Sequence, residues 1–327
     1  MSSQIASPGV LSEGEPVRQT ATEPSKLPRI SAVICTRNRA ELIAGAVQSV
    51  LANDHPCFEL IIIDQSDGDD TRRALDGLAG DPRLRYFHTT QAGLSGAYNA
   101  AVRVGRAQLL AFTDDDCIAP PDWLTAVQRE FDSDPEADLV YGQVRAPVEL
   151  RDAALGIVPQ LLFPSRRRLS VRDGFVVAGM GANFAARRRA FEAVGGFDEM
   201  LGGGGPLRSS QDFDFQFRLF RASRVSVLSP DLNVLHYGLR TSAQWPQTNL
   251  AYGVGDGAFY MKHVRCGDLL AGRLLARQFL LEAARIVWKP LVRRRSHSPA
   301  YLRGLVVGSW KSFHFGVDRR RRLYVAR

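Results

Sequence analysis

Three consecutive carboxylates, Asp114, Asp115 and Asp116, follow the apolar run LLAF after a single threonine and precede a pair of prolines. Like charges this close together raise one another's pKa, which costs stability unless solvent disperses the charge or a cation lies among the carboxylates. A hard divalent metal ion is one cation that binds such oxygen-rich clusters. The three residues alone leave both explanations open, so the elements that position them must be identified.

Short apolar runs alternate with segments of helical periodicity through the first part of the chain. The pattern predicts strands at 30–35, 58–64, 83–88 and 108–112 and helices at 42–51, 71–78 and 95–104. Buried strands that alternate with helices indicate βαβ units and a parallel sheet, in which ligands bind beyond the carboxyl ends of the strands. The segments CTRNR, DQSDGDD and TDDD follow three of these strands. We therefore expect all three segments to line one crevice.

The alternation weakens after residue 138. The sequence predicts strands of a mixed sheet at 139–144 and 175–188, a helix that begins near Gln211, and a long helix at 269–292. Four consecutive glycines, residues 202–205, precede the helix at Gln211. Glycine runs cost backbone entropy, so this run indicates mobility or a close approach of the backbone.

Composition and charge limit the functional classes. The chain has 327 residues, 45% of them hydrophobic, which suffices for a globular core, whereas segment 1–28 is polar and is expected to be disordered. The net charge of +8 is concentrated in residues 289–327, so the body is nearly neutral. This distribution suits an anionic membrane surface better than a nucleic-acid groove across the fold. Aromatic residues in the tail could stack on bases, but nothing in the body supports a nucleic-acid partner.

The cysteines and the apolar runs indicate the compartment. The four cysteines are scattered without paired spacing, which is typical of a reducing environment and does not favour a zinc site. No secretory signal is apparent, and no apolar run reaches the roughly 18 residues of a membrane-spanning helix. We expect a cytoplasmic protein, soluble or peripheral at the inner face of the membrane.

Eight motifs, taken in order, resemble the family 2 glycosyltransferases. They are SAVICTRNR, IIIDQSDGDDT, GLSGAYNAAV, LLAFTDDDCIAPPDWL, GMGANFAARR, GGFDEMLGGGG, QDFDFQFRL and VLHYG. The resemblance implies an α/β GT-A fold, in which a mostly parallel, Rossmann-like sheet is flanked by helices. With the tail and the late helix, it predicts a disordered segment 1–28, a GT-A domain 29–260 and a helical, basic C-terminal extension 261–327.

The resemblance also implies the residues that bind the nucleotide-sugar donor. Asp64 corresponds to the acid that holds the nucleotide base, and Asp114 and Asp116 correspond to the DxD motif, which binds Mn²⁺ or Mg²⁺ at the diphosphate. His236 corresponds to a further metal ligand. The other expected donor contacts are Thr36, Asn38, Arg39, Ser66, Gly93, Leu94, Ser95, Asn99, Asp115 and Asn183.

Asp212 in QDFD resembles the second acid of a Glu-Asp pair, which is the general base of inverting members. Attack by an acceptor hydroxyl requires a carboxylate that takes its proton, and the departing diphosphate requires a cation that neutralises its charge. The chain departs from the pattern at the first position, where Gln211 replaces Glu. Gln keeps the size but loses the charge, so Asp212 remains the expected base and Asp214 is the alternative.

These features predict a metal-dependent inverting enzyme that transfers a hexosyl or deoxyhexosyl group to a hydroxyl of a glycan or glycolipid, in polysaccharide, cell-wall or glycolipid assembly. QFRLF in place of a QxxRW run favours single additions over polymerisation. A non-catalytic nucleotide- or glycan-binding scaffold of the same fold is the alternative, for which Gln211 is the hint. A nucleotidylyltransferase is disfavoured, because CTRNRAEL lacks the glycine-rich loop and lysine that such enzymes carry after the first strand.

Overall fold

The first four strands form the parallel part of a large sheet. The computed structural model describes residues 27–150, 156–291 and 298–326, so the predicted disorder of segment 1–28 falls almost entirely outside the described residues. The strands lie side by side in the order β3-β2-β1-β4. Their bounds are β1 (Ile30–Thr36), β2 (Phe58–Asp64), β3 (Leu84–His88) and β4 (Leu109–Asp114), and the helices between them are α1 (Ala40–Leu51), α2 (Asp70–Ala74) and α3 (Leu94–Val104). The predicted βαβ alternation is confirmed.

The second half of the chain extends this sheet with mixed strand directions. Its elements are β5 (Cys117–Ile118), α4 (Trp123–Ser133), β6 (Ala137–Arg145), β7 (Arg167–Leu169), β8 (Asn183–Arg187), α5 (Arg188–Val194), α6 (Gln211–Arg221) and β9 (Val225–His236). The full order is β3-β2-β1-β4-β8-β6-β9-β5, with β7 paired to β9. Strand β8 runs antiparallel to both neighbours, β4 and β6. The fold is therefore the predicted α/β class with a mixed sheet.

The strand predicted at 175–188 is shorter than expected, because only Asn183–Arg187 pairs in the sheet. Gly179 has a φ of 99°, and a Cβ there would lie 2.2 Å from the ring of Tyr141. Val176 and Val177 are exposed. The backbone thus turns tightly against the sheet before β8 begins, so apolar composition alone misled the strand prediction.

Two apolar clusters hold the helices on opposite faces of the sheet. Alternate residues of β1 divide between them: Ile30 and Ile34 join the cluster that contains Trp123 of α4, and Val33 joins the one that contains Phe215 of α6. Side chains of a strand point alternately to the two faces. Because both faces are covered, β1 consists of apolar residues with few polar interruptions.

Three helices and a hairpin follow β9 among the residues that the structure describes. They are α7 (Trp245–Arg265), α8 (Leu269–Leu291), α9 (Ser298–Lys311), β10 (Gly316–Asp318) and β11 (Leu323–Val325). The backbones of α7 and α9 touch at glycines: a Cβ on Gly257 would lie 2.2 Å from the Leu305 carbonyl oxygen, and one on Gly308 would lie 1.9 Å from that of Val254. Within the described ranges, no helix is both long enough and apolar enough to cross a bilayer. The predicted domain boundary at residue 260 falls inside α7.

Candidate active site

Hydrogen bonds join the loops that follow β1, β2 and β4. Asn38, which has a φ of 54°, donates its backbone N–H to Ser66 Oγ at 2.8 Å. Its side-chain amide both donates to and accepts from Asp67, at 2.7 and 2.9 Å. Thr36 Oγ1 donates to Asp115 Oδ2 at 2.6 Å. The predicted meeting of three polar segments at one edge of the sheet is therefore confirmed.

Arg39 supplies a positive charge to the acidic cluster. Its guanidinium lies 2.6 Å from Asp115 Oδ1 and 2.6 Å from Asp116 Oδ2. The other oxygen of Asp116 faces His236 Nε2 at 3.4 Å. The Asp114 side chain accepts no hydrogen bond from the residues that the structure describes. One aspartate of the three therefore lacks a direct partner, and it is the one at the end of β4.

The three carboxylates differ in proton affinity. Burial and the charge of Asp116 raise the pKa of Asp114 to about 7. Burial also raises the pKa of Asp115 to about 6, against the opposing effect of Arg39. Burial opposes the shift at Asp116, but His236 and Arg39 hold the pKa of that carboxyl well below its usual range. The positive charges of Arg39 and His236 thus relieve part of the repulsion at Asp116. The raised pKa of Asp114 favours its neutral form, which relieves another part.

The structure brings Asp116, Cys117 and His236 together, with ligand atoms within 4.8 Å of one another. Asp114 is not one of this group, although its charge acts on both Asp116 and His236. The Nδ1 atom of His236 lies 3.0 Å from the Pro159 carbonyl oxygen, an arrangement that leaves Nε2 facing the carboxylate. Burial raises the pKa of the Cys117 thiol, so the thiol is a poor ligand. The remaining oxygen and nitrogen donors fit Mn²⁺ or Mg²⁺.

Asp64 is fully buried beneath the loop that follows β2. Its Oδ1 accepts the backbone N–H of Ser66 at 2.8 Å, and its Oδ2 accepts the hydroxyl of Tyr86 at 2.5 Å. The carboxylate therefore fixes the loop that the sequence assigns to the nucleotide base. Contact of Asp64 with the base stays a prediction.

The residues at the start of α3 are hydrogen-bonded to the glycine-rich loop, residues 195–210, which connects α5 to α6. Leu94 N–H donates to the Gly203 carbonyl oxygen at 2.8 Å, and Ser95 Oγ donates to that of Leu201 at 2.7 Å. Asn99 holds the same loop through Phe197, accepting its N–H at 2.8 Å and donating to its carbonyl oxygen at 3.0 Å. The glycines permit close approach: a Cβ on Gly202 would lie 2.9 Å from Ser95 Oγ. The side chains of Ser95 and Asn99 therefore position the loop beside Gly93, which has a φ of 130°.

Asn183 is fully buried. Its amide donates to the carbonyl oxygens of Gln143 and Leu232 at 2.9 and 3.2 Å and accepts the indole N–H of Trp123 at 3.0 Å. A donor contact would require breaking these bonds, so the geometry does not support the contact predicted for Asn183. The residue instead joins β8 to β6, β9 and α4.

Asp212 occupies the first turn of α6 and is partly exposed. Its Oδ2 accepts the backbone N–H of Gly181 at 3.0 Å, and its Oδ1 accepts that of Phe213 at 2.9 Å. Burial raises the pKa of this carboxyl to about 6, although these backbone donors oppose the shift. A carboxylate with such a pKa is ionised at neutral pH and accepts a proton more readily than an ordinary aspartate.

Asp214 cannot serve as the alternative base. It is fully buried, and its Oδ1 contacts Lys262 Nζ at 2.6 Å and His263 Nε2 at 2.9 Å. Its Oδ2 accepts from Arg218 Nε at 2.8 Å. Burial opposes the effect, but Arg218 and Lys262 hold the pKa of Asp214 far below its usual range. The carboxylate is structural, because its proton affinity is low and it lacks access to solvent.

Sequence reasoning missed two sets of residues near Asp212. Ser210, with a φ of 69°, donates Oγ to Asp256 Oδ1 at 2.6 Å, and the other oxygen of Asp256 accepts the Tyr301 hydroxyl. Tyr252 of α7 is 38% exposed, and the charges of both Asp212 and Asp114 contribute to a raised pKa of its hydroxyl, behind the larger effect of burial. Asp256 and Tyr252 come from α7, far along the chain, so no local motif marked them.

The sequence matches a known family. A profile described as glycosyl transferase family 2 matches residues 31–195, half of the chain. The chain is 26% identical over 181 residues to a glucosyl-dolichyl phosphate glucuronosyltransferase of Haloferax volcanii, covering 53% of this chain and 57% of that protein. It is 29% identical over 147 residues to the succinoglycan biosynthesis protein ExoO of Rhizobium meliloti, covering 43% and 42%. The chain thus spans about half the length of these curated relatives.

Solved structures show the same fold. A mannosyltransferase from Pyrobaculum calidifontis, in complex with GDP-Man and Mn²⁺, has a TM-score of 0.62 at 17% identity, over 90% of each chain. TarS of S. aureus, in complex with UDP-GlcNAc, has a TM-score of 0.54 at 14% identity, over 70% of this chain and 65% of that one. From the profile match and the shared architecture, the chain belongs to glycosyl transferase family 2 and has the GT-A fold.

Proposed function

We propose that this glycosyltransferase moves a sugar from a nucleotide-sugar donor to a hydroxyl acceptor with inversion, in a metal-dependent reaction. One observation carries the proposal: the Asp212 carboxylate accepts the N–H of Gly181 at 3.0 Å, and the carbonyl oxygen of the next residue, Ala182, accepts the hydroxyl of Thr113, the neighbour of Asp114, at 3.0 Å. A base and a cation site near each other are what direct displacement at an anomeric carbon requires.

The donor would lie along the carboxyl ends of β1, β2 and β4. The bound GDP-Man, UDP and UDP-GlcNAc in the structural neighbours support a nucleoside diphosphate here. The proposed contacts are Thr36, Asn38, Arg39, Asp64, Ser66, Gly93, Leu94, Asp114 and Asp115. Asp114, Asp116 and His236 would hold Mn²⁺ or Mg²⁺, which when bound neutralises the charge of the diphosphate. The Mn²⁺ in the mannosyltransferase complex supports a divalent metal.

Asp212 would accept the proton of the acceptor hydroxyl while that oxygen attacks the anomeric carbon from the face opposite the diphosphate. The N–H groups of Gly181 and Phe213 orient the carboxylate and keep it ionised. Ser210, bonded to Asp256, fixes the start of α6 and so the position of Asp212. Tyr252 is exposed, and the charges of Asp212 and Asp114 both act on its hydroxyl. It is our candidate for contact with the acceptor.

We propose a glycan or glycolipid acceptor, in polysaccharide, cell-wall or glycolipid assembly. The names of two relatives, a glucosyl-dolichyl phosphate glucuronosyltransferase and a succinoglycan biosynthesis protein, support this class. A hexosyl or deoxyhexosyl group and single additions remain our proposals, the latter supported by QFRLF in place of a processive motif. We propose 29–260 as the catalytic domain, with a helical extension after it.

Thermal unfolding with UDP, GDP, dTDP, ADP and CDP, each with and without Mn²⁺, tests the donor site. A ligand that binds only the folded protein stabilises it by about 2.7 kcal/mol at a hundred times its dissociation constant. We expect one nucleotide to stabilise the protein, and to do so only with the metal. If none does, the scaffold alternative replaces the enzyme.

The variant Asp212→Asn tests the base. It should bind the nucleotide as the wild type does and lose transfer by roughly 10²–10⁴-fold, the range for general-base catalysis. Asp231→Asn, an exposed aspartate on β9, is the matched control and should retain transfer. Full transfer by Asp212→Asn would remove Asp212 from the mechanism.

A further inference from the structure

The solvent-facing side of α8 combines large apolar side chains with arginines. Leu280 is 71% exposed and Trp288 is 66% exposed, and Leu269 and Val287 are similarly open to solvent. Leu269, Leu280 and Val287 recur at whole helical turns and Trp288 adjoins Val287, so the four residues lie on one side of the helix and form a stripe along it. The exposed residues Arg273 and Arg277 lie within the same stripe, one turn apart. The stripe covers 269–288 and is about 29 Å long at 1.5 Å per residue.

Helix α9 and the turn after it carry a second stripe of the same kind. Val306, Trp310 and Phe313 are each more than half exposed and follow one another at helical spacing. Arg303 is also exposed and lies one turn before Val306. The opposite side of α9 packs through its glycines against α7. The two helices α8 and α9 therefore present apolar and basic groups on the faces that the protein body does not cover.

Acidic groups are missing from both stripes, among the residues that the structure describes. The sequence of α8 contains one acid, Glu282, which is buried and bonded to Arg285, and the sequence of α9 contains none. Segment 289–327 has eleven Lys and Arg residues and one acid. A face that exposes tryptophans and aliphatic groups among arginines is costly in water and complementary to an anionic, partly apolar surface.

We infer that the exposed sides of α8 and α9 form a lipid-binding surface. Its apolar side chains enter the boundary between head groups and acyl chains, while its arginines bind anionic head groups. Tryptophan is suited to this boundary because its ring is apolar and its N–H finds polar partners. Anionic lipids are concentrated in the cytoplasmic leaflet, so this surface would place the protein at the inner face of the membrane. The inference goes beyond the proposed transfer reaction and does not depend on Asp212.

Two other partners, a second copy of the chain and a nucleic acid, fit this face less well than a bilayer does. A second copy of the chain docked on the same face would bring Arg273 and Arg277 of both copies together without acids to pair them. A nucleic acid would pair with the arginines but would leave Leu280 and Val306 against phosphates. A bilayer satisfies both the apolar and the basic groups.

The experiment uses the full chain with vesicles of neutral phosphatidylcholine and with vesicles that also contain phosphatidylglycerol. Cosedimentation measures the partition coefficient at low and high salt, and quenching of tryptophan by brominated acyl chains measures insertion. We compare the wild type with Trp288→Ser/Trp310→Ser. The matched control is Val148→Ser/Leu162→Ser, which removes exposed apolar groups outside these helices. Far-UV circular dichroism and the midpoint of thermal unfolding verify that each variant is folded.

We expect binding to the anionic vesicles, quenching of tryptophan, and a partition coefficient that falls by at least roughly tenfold in the tryptophan variant but not in the control. Replacing Arg273 or Arg277 by Gln should reduce it by about fivefold each at low salt. Absence of binding at low salt would overturn the inference. So would binding that the tryptophan variant retains in full, which indicates adsorption by the basic tail alone. Concentration-dependent dimers that the tryptophan variant abolishes would assign the face to a second copy.

Discussion

The glycine contact between α7 and α9 leads to a prediction about stability and activity. A Cβ added to Gly308 would lie 1.9 Å from the carbonyl oxygen of Val254 and 2.8 Å from the Cα of Val254. Because these are backbone atoms, a rotamer change cannot relieve the contact, and α9 must move away from α7 by about 1 Å. The displacement also disturbs Gly257, which meets α9 one turn later on α7.

Two opposing terms set the size of the effect of Gly308→Ala. Overpacking costs about 1–3 kcal/mol. The better helix propensity of alanine returns about 0.8–1 kcal/mol. Because the contact is with backbone atoms at 1.9 Å, the cost belongs at the upper end of that range, and we expect the free energy of unfolding to fall by about 2 kcal/mol. At Gly45 of α1 the nearest atom to an added Cβ is the Ile118 Cδ1 at 3.6 Å, so Gly45→Ala should stabilise the protein by about 0.5–1 kcal/mol.

Urea unfolding followed by circular dichroism measures both variants, and the opposite signs distinguish packing from propensity. Transfer activity should also fall in Gly308→Ala, because α7 carries Asp256, which is bonded to Ser210 at the start of α6. If Gly308→Ala proves as stable as Gly45→Ala, the close approach of α7 and α9 is not as the structure describes it.

Three further predictions concern the site. Because the base must be deprotonated, the rate of transfer should decline as the pH falls through the Asp212 pKa of about 6. One pH unit below that pKa, the rate should be about a tenth of its plateau value. A decline that begins only near pH 4 would contradict the assignment. Asp256→Asn should lower kcat with little change in nucleotide affinity, because it weakens the hydrogen bond to Ser210 and leaves the loops after β1, β2 and β4 intact. A loss of nucleotide affinity without a loss of kcat would contradict this prediction. Arg39→Met should increase the Tm shift produced by Mn²⁺ alone, because it removes the cation bonded to Asp115 and Asp116, and an unchanged shift would show that Arg39 does not compete with the metal.

The sequence allowed much of the fold to be predicted where the signal is local. The strand at 58–64 is buried and apolar apart from Glu59 and the final Asp64, and the structure has β2 with those bounds. The convergence of Thr36, Ser66 and Asp115 followed from the topology of parallel strands. In contrast, residues 175–182 have strand-like composition but turn against Tyr141, because Gly179 adopts a positive φ that composition does not reveal.

The missed parts of the site depend on contacts between distant segments. Asp256 lies in the middle of α7 and is defined by its bonds to Ser210 and Tyr301, 46 and 45 residues away. Asn183 looked like a polar residue at the end of a glycine segment, yet its amide bridges three elements in the core. Asp214 and Asp212 are both in QDFD, but a helix turns them to different surroundings, and only burial and partners separate a structural ion from a candidate base.

The replacement of the family's Glu by Gln211 is consistent with catalysis. Gln211 Nε2 and Asp212 Oδ2 lie 3.5 and 3.6 Å from the position of a Cβ on Gly181, so a Glu at 211 would place a second negative charge near the base. The two side-chain atoms therefore lie at most about 7 Å apart, and like charges at that distance raise one another's pKa by about one unit. Gln211→Glu should therefore move the acid limb of transfer from about pH 6 towards pH 7, which a pH–rate profile measures. A limb that stays in place would mean that residue 211 does not influence the proton affinity of Asp212.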